Sequence, residues 1–434
     1  MHHTHDHASP SRETFDSVEW RVGQIYPVIP GKLYFTSHST RAHTHEAIAW
    51  LPELFFSSTL EPENYRSYCK DFGPTDLAGV VSFCQSIRTL LQDPRLKGRS
   101  VVYYTEANSE TLSNAAFLLG AYLVLVEGMS PEDAAAPFSR IQPSPFRAFR
   151  DATHLESDFD LSILDCLRGL LRGARAGFFD LETFDDGQFT SDDALGLSVM
   201  CPKFVAFKGP VSGSDCPSHL REPEAYLDRF QELGVSDVVR LNDSSKYDRQ
   251  IFGEAGMRHH DMEFTDCTPP SPEIVLRFLE VCSRSEGVIA MHCLAGLGRT
   301  GTLIALHLIV NDGWSAREAI GWLRIVRPGS VIGAQQHFLV SVEATQRRAE
   351  SEHHHSPHSH PPPVPYSSLL GLITSSDEPL PPGGPACPRA GLLQAIPGVG
   401  LSGMEAQIAS VRALQVANGL SQRAEGARPF CSTG

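Results

Sequence analysis

Two long apolar stretches of the chain share the same order of predicted elements. The first, AAFLLGAYLVLVEGMSPEDAA, starts at Ala115, and the second, GTLIALHLIVNDGWSAREAI, starts at Gly301. Each has the pattern of a buried helix, a glycine, a serine two residues later and an amphipathic helix. Short apolar strands, Ser100–Tyr104 and Gly287–Met291, precede them. The pattern therefore predicts two copies of one strand–loop–helix domain in an α/β fold.

The polar segments divide the rest of the chain. The His-rich start and the later stretch SEHHHSPHSHPPPVPYSS predict disorder, because such compositions bury too little apolar surface to offset the entropy of ordering. Met404–Asn418 has helical periodicity, which fits a transient helix in a loose tail or a helix docked on a partner. The predicted map is an arm at 1–20, a first copy at 21–158, a linker at 159–200, a second copy at 201–348 and a tail at 349–434.

Composition narrows the classes of function. The 434 residues are 41% hydrophobic and carry a formal net charge of -15, which disfavours nucleic acid and acidic membrane as partners and leaves room for a basic peptide. The ten cysteines form no CxxC pair or zinc spacing, so we expect no structural metal site. We expect no cofactor either. Free thiols and the lack of an apolar stretch at the start indicate the cytosol or nucleus. The longest apolar run, Ala115–Val126, is shorter than the roughly twenty residues of a membrane span.

A loop with two glycines joins the second apolar strand to its helix. It reads His292-Cys293-Leu294-Ala295-Gly296-Leu297-Gly298-Arg299-Thr300. Such a loop turns its backbone N–H groups toward one point above a helix N-terminus, where they bind a tetrahedral oxyanion. We expect Leu294, Ala295, Gly296, Leu297, Gly298 and Arg299 to bind phosphate.

Cys293 is the predicted nucleophile of this loop. The field of the loop favours the thiolate, the form that attacks phosphorus. Arg299 offers a planar fork that matches two phosphate oxygens. Thr300 can hydrogen-bond the sulfur, and His292 is expected to order the loop from behind. The alternative for Cys293, a small buried hydrophobe, accounts poorly for the glycines and the arginine beside it.

The corresponding loop of the first copy lacks this chemistry. It reads TEANSETLSN, with Thr105 and Glu106 where His292 and Cys293 would stand. It contains neither cysteine nor arginine, and a carboxylate at the nucleophile's position would repel phosphate. We therefore predict that the first copy is catalytically inactive and has a structural or substrate-binding role.

The general acid should be a carboxylate on a loop ahead of the nucleophile. Met262–Thr265 predicts a strand end, Asp266 opens a loop, and Ser271–Glu286 predicts the helix that leads to the nucleophile's strand. Asp266 fits the position, although a helix-capping or solvated role is its alternative. Asp261 and Glu263 are rival candidates.

A second loop, PGSVIGAQQHF, follows the last amphipathic helix of the second copy. Its adjacent amides Gln335 and Gln336 could position the water that hydrolyses an intermediate. Either could equally be an ordinary polar loop residue.

These motifs resemble the cell division cycle fourteen family of dual-specificity phosphatases. The resemblance runs from about Asp71 to about Leu339. In the second copy it rests on GVSDVVRLN, AGLGRTGTLIA and RPGSVIGAQQHFL, and in the first on DFGPTDLAGV, FRDATH, LSILDCL and GFFDLETFD. It implies two tandem dual-specificity-phosphatase (protein tyrosine phosphatase-like) domains joined by a helical linker, with only the second active. It also implies that Cys293, Arg299 and Asp266 are the nucleophile, the phosphate-binding arginine and the general acid.

The resemblance further implies the substrates. These are phosphoproteins with phosphotyrosine, or with phosphoserine or phosphothreonine followed by proline and a basic residue downstream. The setting would be cell-cycle, cytoskeletal or ciliary regulation. The sequence departs from the family in its linker, DGQFTSDDALGLSVMCPKF, which is shorter and less acidic. Asp185, Asp186, Asp192 and Asp193 could still form the acidic groove that reads the basic residue, or could be a solvated face. Leu294 also departs, since the family usually has lysine there.

Two other functions remain open from the sequence. A phosphopeptide-binding scaffold would not need Cys293, Asp266 and Arg299 together. A phosphoinositide phosphatase would need lysine or arginine lining the loop, where this chain has Leu294 and Leu297.

Overall fold

The computed structural model describes residues 17–58, 65, 67–213 and 222–353. Its helices are α1 (Arg41–Trp50), α2 (Leu77–Gln92), α3 (Ser109–Leu125), α4 (Pro131–Ser139), α5 (Ile163–Arg175), α6 (Asp186–Leu195), α7 (Leu227–Glu232), α8 (Gln250–Glu254), α9 (Pro272–Arg284), α10 (Gly298–Asp312), α11 (Ala316–Val326) and α12 (Ala334–His353). Its strands are β1 (Val18–Glu19), β2 (Tyr26–Ile29), β3 (Leu33–His38), β4 (Leu54–Ser57), β5 (Ser100–Glu106), β6 (Ile141–Gln142), β7 (Leu197–Cys201), β8 (Phe204–Phe207), β9 (Val235–Arg240), β10 (Arg258–Asp261) and β11 (Val288–His292). Most of the predicted arm and nearly all of the predicted tail, including Met404–Asn418, lie outside the described residues.

The first half is built on a four-stranded sheet with the order β2-β3-β5-β4. Strands β3, β4 and β5 run parallel, and β2 is antiparallel at the edge. Helix α3 is buried on almost every side from Leu112 onward, because its sequence is apolar around the whole circumference. Phe35, Tyr103 and Phe117 are fully buried in the core that the helix and sheet enclose.

The second half has a five-stranded sheet with the order β10-β9-β11-β8-β7. Strand β11 lies in the middle, parallel to both β8 and β9, while β7 is antiparallel at the edge. Ligands of open α/β sheets bind at the carboxyl ends of the parallel strands. The end of β11 at His292 therefore places the following loop at the centre of such an edge.

The two halves repeat the same connection, as the apolar pattern predicts. Each central strand leads into a buried helix that is followed by a glycine with positive φ, Gly128 (+71°) or Gly313 (+66°). Ser130 and Ser315 then cap the next helix by accepting a backbone N–H. The prediction of two tandem α/β domains is confirmed.

Helix α5 joins the halves by packing on both α3 and α11. A Cβ on Gly169 would lie 2.4 Å from the backbone oxygen of Glu318, and one on Gly173 would lie 2.6 Å from the Trp322 ring. Phe179 stacks on Trp322 at 5.8 Å between ring centroids. One continuous apolar core therefore spans both halves.

Two predicted boundaries differ from the structure. The strand before the acid loop is Arg258–Asp261, not Met262–Thr265, because residues 258–261 are those that pair with β9. Helix α12 continues to His353, across the predicted boundary between the second copy and the tail at residue 348. Within the described residues, no helix combines the length and apolarity required to cross a membrane.

Candidate active site

Cys293 lies directly after β11 and is 2% exposed. The loop from Cys293 to Leu297 ends where α10 begins at Gly298. Two glycines make the tight curl possible. A Cβ on Gly209 would lie 2.2 Å from the Cys293 carbonyl oxygen, and one on Gly296, whose φ is +69°, would lie 2.1 Å from that of Phe207. The loop is thus pressed against the ends of its sheet, where a side chain at either glycine would displace it.

Arg327 holds the outer side of this loop. Its Nε donates to the Gly296 carbonyl oxygen at 2.8 Å and its Nη2 to that of Ala295 at 3.0 Å, while Nη1 donates to Ser198 Oγ at 3.0 Å. Carbonyl groups held outward leave the peptide N–H groups facing the loop centre. This role was not predicted, since only the proline that follows Arg327 marks its position in the sequence.

Arg299 is fixed by backbone carbonyl groups from two neighbouring segments. Its Nη1 donates to the carbonyl oxygens of Leu241 at 3.0 Å and Phe264 at 2.9 Å. Its buried Nε forms an ion pair with Asp266 Oδ1 at 3.1 Å, without the geometry of a hydrogen bond. One edge of the guanidinium is therefore anchored on backbone carbonyl groups, and the other faces a carboxylate.

Asp266 is the candidate carboxylate that meets this arginine. Its Oδ1 lies 3.1 Å from Arg299 Nε, and its side chain is 57% exposed. The same oxygen accepts the N–H of Cys267 at 3.1 Å. The carboxylate thus stands at the open edge of the phosphate loop.

The two rival carboxylates are placed differently. Asp261 accepts from Arg240 Nε at 2.6 Å and from Arg249 Nη1 at 3.3 Å. Partial burial opposes its charge, but the hydrogen bond and charge of Arg240 outweigh this and hold the pKa of Asp261 below its usual range. Glu263 is exposed between β10 and the acid loop. The geometry therefore favours Asp266 over both.

The structure separates the two adjacent amides. Gln335 Oε1 accepts the N–H of Ile332 at 3.1 Å and its Nε2 donates to the Thr268 carbonyl oxygen at 3.1 Å, in the acid loop. A Cβ on Gly298 of the phosphate loop would lie 2.9 Å from Gln335 Oε1. Gln336 instead accepts from the buried Arg324 at 2.6 Å. Gln335 therefore bridges the two loops, while Gln336 points away from them.

His292 supports the loop from inside the protein. Its Nδ1 is 3.0 Å from the Cys293 carbonyl oxygen and its Nε2 is 2.7 Å from the Tyr247 hydroxyl, which also lies 2.8 Å from His259 Nε2. Burial lowers the pKa of His292 to about 3 and that of His259 to about 4. A neutral imidazole at His292 can donate to the carbonyl oxygen through Nδ1. Tyr247 is a second residue that the sequence analysis missed.

The remaining loop positions are divided between core and surface. The Thr300 hydroxyl is buried and, within the described ranges, has no hydrogen-bond partner. Leu297 is buried, while Leu294 is 39% exposed at the rim of the loop. The rim is therefore apolar at the position where the resemblance leads one to expect a lysine.

The four aspartates of the predicted groove lie on or beside α6. Asp185 caps the helix by accepting the N–H of Gln188 at 2.9 Å, and Asp186 and Asp193 are exposed. Asp192 instead is buried and accepts two hydrogen bonds from Arg229, both at 2.9 Å. The prediction for Asp192 is corrected accordingly, because its charge is compensated within the fold.

The C-terminal end of α6 is connected to the phosphate loop through hydrogen bonds. Lys208 N–H donates to the Gly196 carbonyl oxygen, and Gly209 N–H to that of Leu294. Of the four aspartates, Asp192 and Asp193 lie in this last turn, while Asp185 and Asp186 lie at the opposite end of the helix.

The equivalent loop of the first half is closed by its own side chain. Asn108 Oδ1 accepts the backbone N–H groups of Glu110 and Thr111 at the start of α3. Glu110 in turn pairs with Arg147 at 2.7 Å. Helix α10 has no such side-chain cap at Leu297.

Comparisons with known proteins match both halves in order. The family described as "Dual specificity protein phosphatase, N-terminal half" matches residues 27–173, and that described as "Polymorphic toxin system, DSP-PTPase phosphatase" matches residues 213–313. Among solved structures, Tk-PTP in its active form is 25% identical, covers 34% of this chain and 95% of its own, and has a TM-score of 0.29.

Curated relatives extend across both halves. Mouse dual specificity protein phosphatase CDC14A is 40% identical over 287 residues, which are 65% of this chain and 47% of that protein. Tyrosine-protein phosphatase CDC14 of Saccharomyces cerevisiae is 36% identical over 302 residues, which are 66% of this chain and 54% of that protein. The chain thus spans about half the length of these relatives. Relatives at 36–40% identity over most of this chain are thus named CDC14 phosphatases, and phosphatase family models match both of its halves.

Proposed function

We propose that the chain is a cysteine-dependent dual-specificity protein phosphatase that works through a phosphocysteine intermediate. The observation that carries the proposal is the convergence of three groups at one loop. Cys293 lies in the loop before the uncapped start of α10, Arg299 lies in the first turn of that helix, and Asp266 Oδ1 lies 3.1 Å from Arg299 Nε. Nucleophile, anion receptor and acid are thus supplied together.

In the first step the Cys293 thiolate attacks phosphorus, forming the S–P bond as the P–O bond to the substrate breaks. Protonated Asp266 gives its proton to the departing oxygen. The loop N–H groups and the Arg299 guanidinium receive the equatorial oxygens, whose negative charge they stabilise. Asp266 reaches the leaving group because its side chain is more than half exposed, at 57%.

In the second step water attacks the phosphocysteine. Ionised Asp266 now accepts the water's proton, the S–P bond breaks, and inorganic phosphate and the thiolate are released. Thr300 is placed in the first turn of α10 to donate its unpartnered hydroxyl to the leaving sulfur. Gln335 uses only one acceptor site and one N–H in its described hydrogen bonds, so its amide can also orient the water.

We propose phosphoproteins as substrates, with phosphotyrosine or with phosphoserine or phosphothreonine followed by proline. The exposed Leu294 supports a peptide over a multiply charged head group, because it leaves the rim apolar. Asp185, Asp186 and Asp193 would attract a basic residue downstream of the phosphoserine.

Turnover of a phosphoserine-proline peptide, a phosphotyrosine peptide and a phosphoinositide tests this proposal. We expect phosphate release from both peptides and little from the lipid. Cys293→Ser should abolish release while still binding the peptide. Cys84→Ser, a buried cysteine of the first half, is the matched control and should keep full activity. Wild-type protein without peptide turnover, or an active Cys293→Ser, would refute the proposal.

A further inference from the structure

The loop between α11 and α12 is held in a strained conformation. Val331 is fully buried and has a φ of +63°. A β-branched side chain is strongly disfavoured in this left-handed region, so such a conformation persists only where the surroundings impose it. Gln335 follows in the same loop, which places the strain next to the amide that bridges the phosphate and acid loops.

One support of this loop comes from the second half itself. Arg324 on α11 is 1% exposed. It donates through Nε to the Ser330 carbonyl oxygen at 3.1 Å and through Nη2 to that of Val331 at 3.0 Å. The N-terminal part of the strained turn is thereby fixed.

The other support comes from the catalytically inactive first half. Asp151, in the segment between β6 and α5, is 2% exposed. Its Oδ2 accepts the backbone N–H of Gly333 at 2.7 Å, while its Oδ1 accepts from the Thr153 hydroxyl at 3.2 Å. A carboxylate bonded to a backbone N–H forms a strong, charge-assisted hydrogen bond. The C-terminal part of the turn is therefore fixed from across the domain boundary.

Gly333 is adjacent to Ile332, whose N–H sets the orientation of the Gln335 amide at 3.1 Å. Releasing Gly333 would let the strained turn relax, and Ile332 would move with it. The Gln335 side chain would then no longer be held against Thr268 and the phosphate loop.

We propose that Asp151 is a positioning residue of the phosphatase reaction, through which the inactive half holds Gln335 in place for phosphocysteine hydrolysis. This inference rests on the proposed function. It predicts that loss of the Asp151 acceptor slows the second chemical step more than the first.

Asp151→Leu removes the acceptor while keeping the branching of the side chain at Cγ, and Asp151→Asn keeps one acceptor oxygen. We expect D151L to lower steady-state hydrolysis of an aryl phosphate about tenfold and to raise the fraction of enzyme trapped as phosphocysteine in acid-quenched samples. D151N should stay within about twofold of wild type in both measurements. Asp165→Leu is the control for loss of another buried carboxylate, because Asp165 caps α5 with Ser162 and pairs with Arg317 on α11. An unchanged phosphocysteine fraction in D151L would contradict the proposal.

A double-mutant cycle with Gln335→Ala separates positioning from general destabilisation. If Asp151 acts through Gln335, D151L should have almost no further effect on turnover in the Q335A background. Full additivity of the two substitutions would overturn the proposal. Loss of cooperative melting in both D151L and Asp151→Ala would also overturn it, since Asp151 would then serve the fold alone.

Hydrogen exchange at Gly333 tests the contact without catalysis, and D151L must increase it. If D151L increases exchange at Gly333 but the wild-type protein turns over no substrate, the proposed function is refuted and the contact is still supported.

Discussion

The two strand–loop–helix units have the same framework, but a side chain caps the helix N-terminus in the first and not in the second. In the first half, Asn108 satisfies two N–H groups at the start of α3. In the second half, α10 starts at the phosphate loop without a side-chain cap, and Nε of the adjacent Arg299 pairs with the exposed Asp266 carboxylate. The comparison shows that the first unit satisfies its helix N-terminus locally, whereas the second leaves N–H donors at the start of α10 for a ligand to satisfy.

The largest expected effect is the loss of the anion-binding arginine. Arg299→Ala should reduce kcat/KM on an aryl phosphate about a thousandfold, because a preorganised donor to the transition state is removed. Arg299→Lys should recover little, since a point charge does not replace the fork. The matched variant is Arg147→Ala, which removes the exposed arginine beside the first loop and should leave kinetics unchanged. A strong kinetic loss in R147A would break the comparison.

The next effect concerns the carboxylates of the two loops. Asp266→Asn should cost about a hundredfold on a phosphoserine peptide, whose leaving oxygen needs a proton. The loss on an activated aryl phosphate should be much smaller, because that leaving group departs unprotonated. Glu106→Gln in the first loop should alter neither rate. Equal losses on both substrates would mean that Asp266 is not the acid.

Acid should destabilise the second half. Burial lowers the pKa of His292 to about 3 and of His259 and His307 to about 4. Below the unfolded pKa of about 6.5 the unfolded chain binds protons that the folded chain does not, so stability is present above that pH and falls as pH drops toward 4. The slope is on the order of 1 kcal/mol per pH unit for each buried histidine.

Hydrogen exchange between pH 7 and pH 5 would locate this loss. As the pH is lowered, protection should be lost at a higher pH in the second half, which has three such histidines, than in the first. In the first half burial also lowers the pKa of His38. His307→Phe, which removes one titrating group beside Phe204, should flatten the dependence of melting temperature on pH. A slope that is unchanged in this variant would argue against the histidines as its cause.

The smallest expected effect is the loss of the cap that closes the first loop. Asn108→Ala should lower the free energy of unfolding by about 1 kcal/mol, the usual worth of a helix N-cap. Asn108→Asp retains the acceptor and should restore stability. Both variants should keep wild-type turnover, and a catalytic defect in N108A would mean that the first loop takes part in the reaction.

The duplicated framework could be predicted from the sequence, because this framework depends on local apolar periodicity. It also placed Cys293, Arg299 and Asp266 in one candidate site, since strand ends and a helix N-terminus bring them together. It left the choice between Gln335 and Gln336 open, because adjacent residues can be distinguished only by their side-chain contacts.

Long-range partners were beyond the reach of the sequence. Arg327 and Tyr247 meet the loop only after chain segments far apart have folded together. Asp192 was expected in a groove because it belongs to an acidic run, but its partner Arg229 comes from a different helix. The contact between Asp151 and Gly333 joins residues 182 positions apart, and no local sequence pattern indicates it.

The glycines of α5 have an evolutionary consequence. Gly169 and Gly173 let α5 approach α11 so closely that the backbone of one helix touches the other, with Trp322 against them. A descendant that deleted the first half would expose this apolar surface to water. The loop of the first half could therefore vary, while the half itself could not be discarded without exposing that surface. Selection on the second half thus also acts on the first.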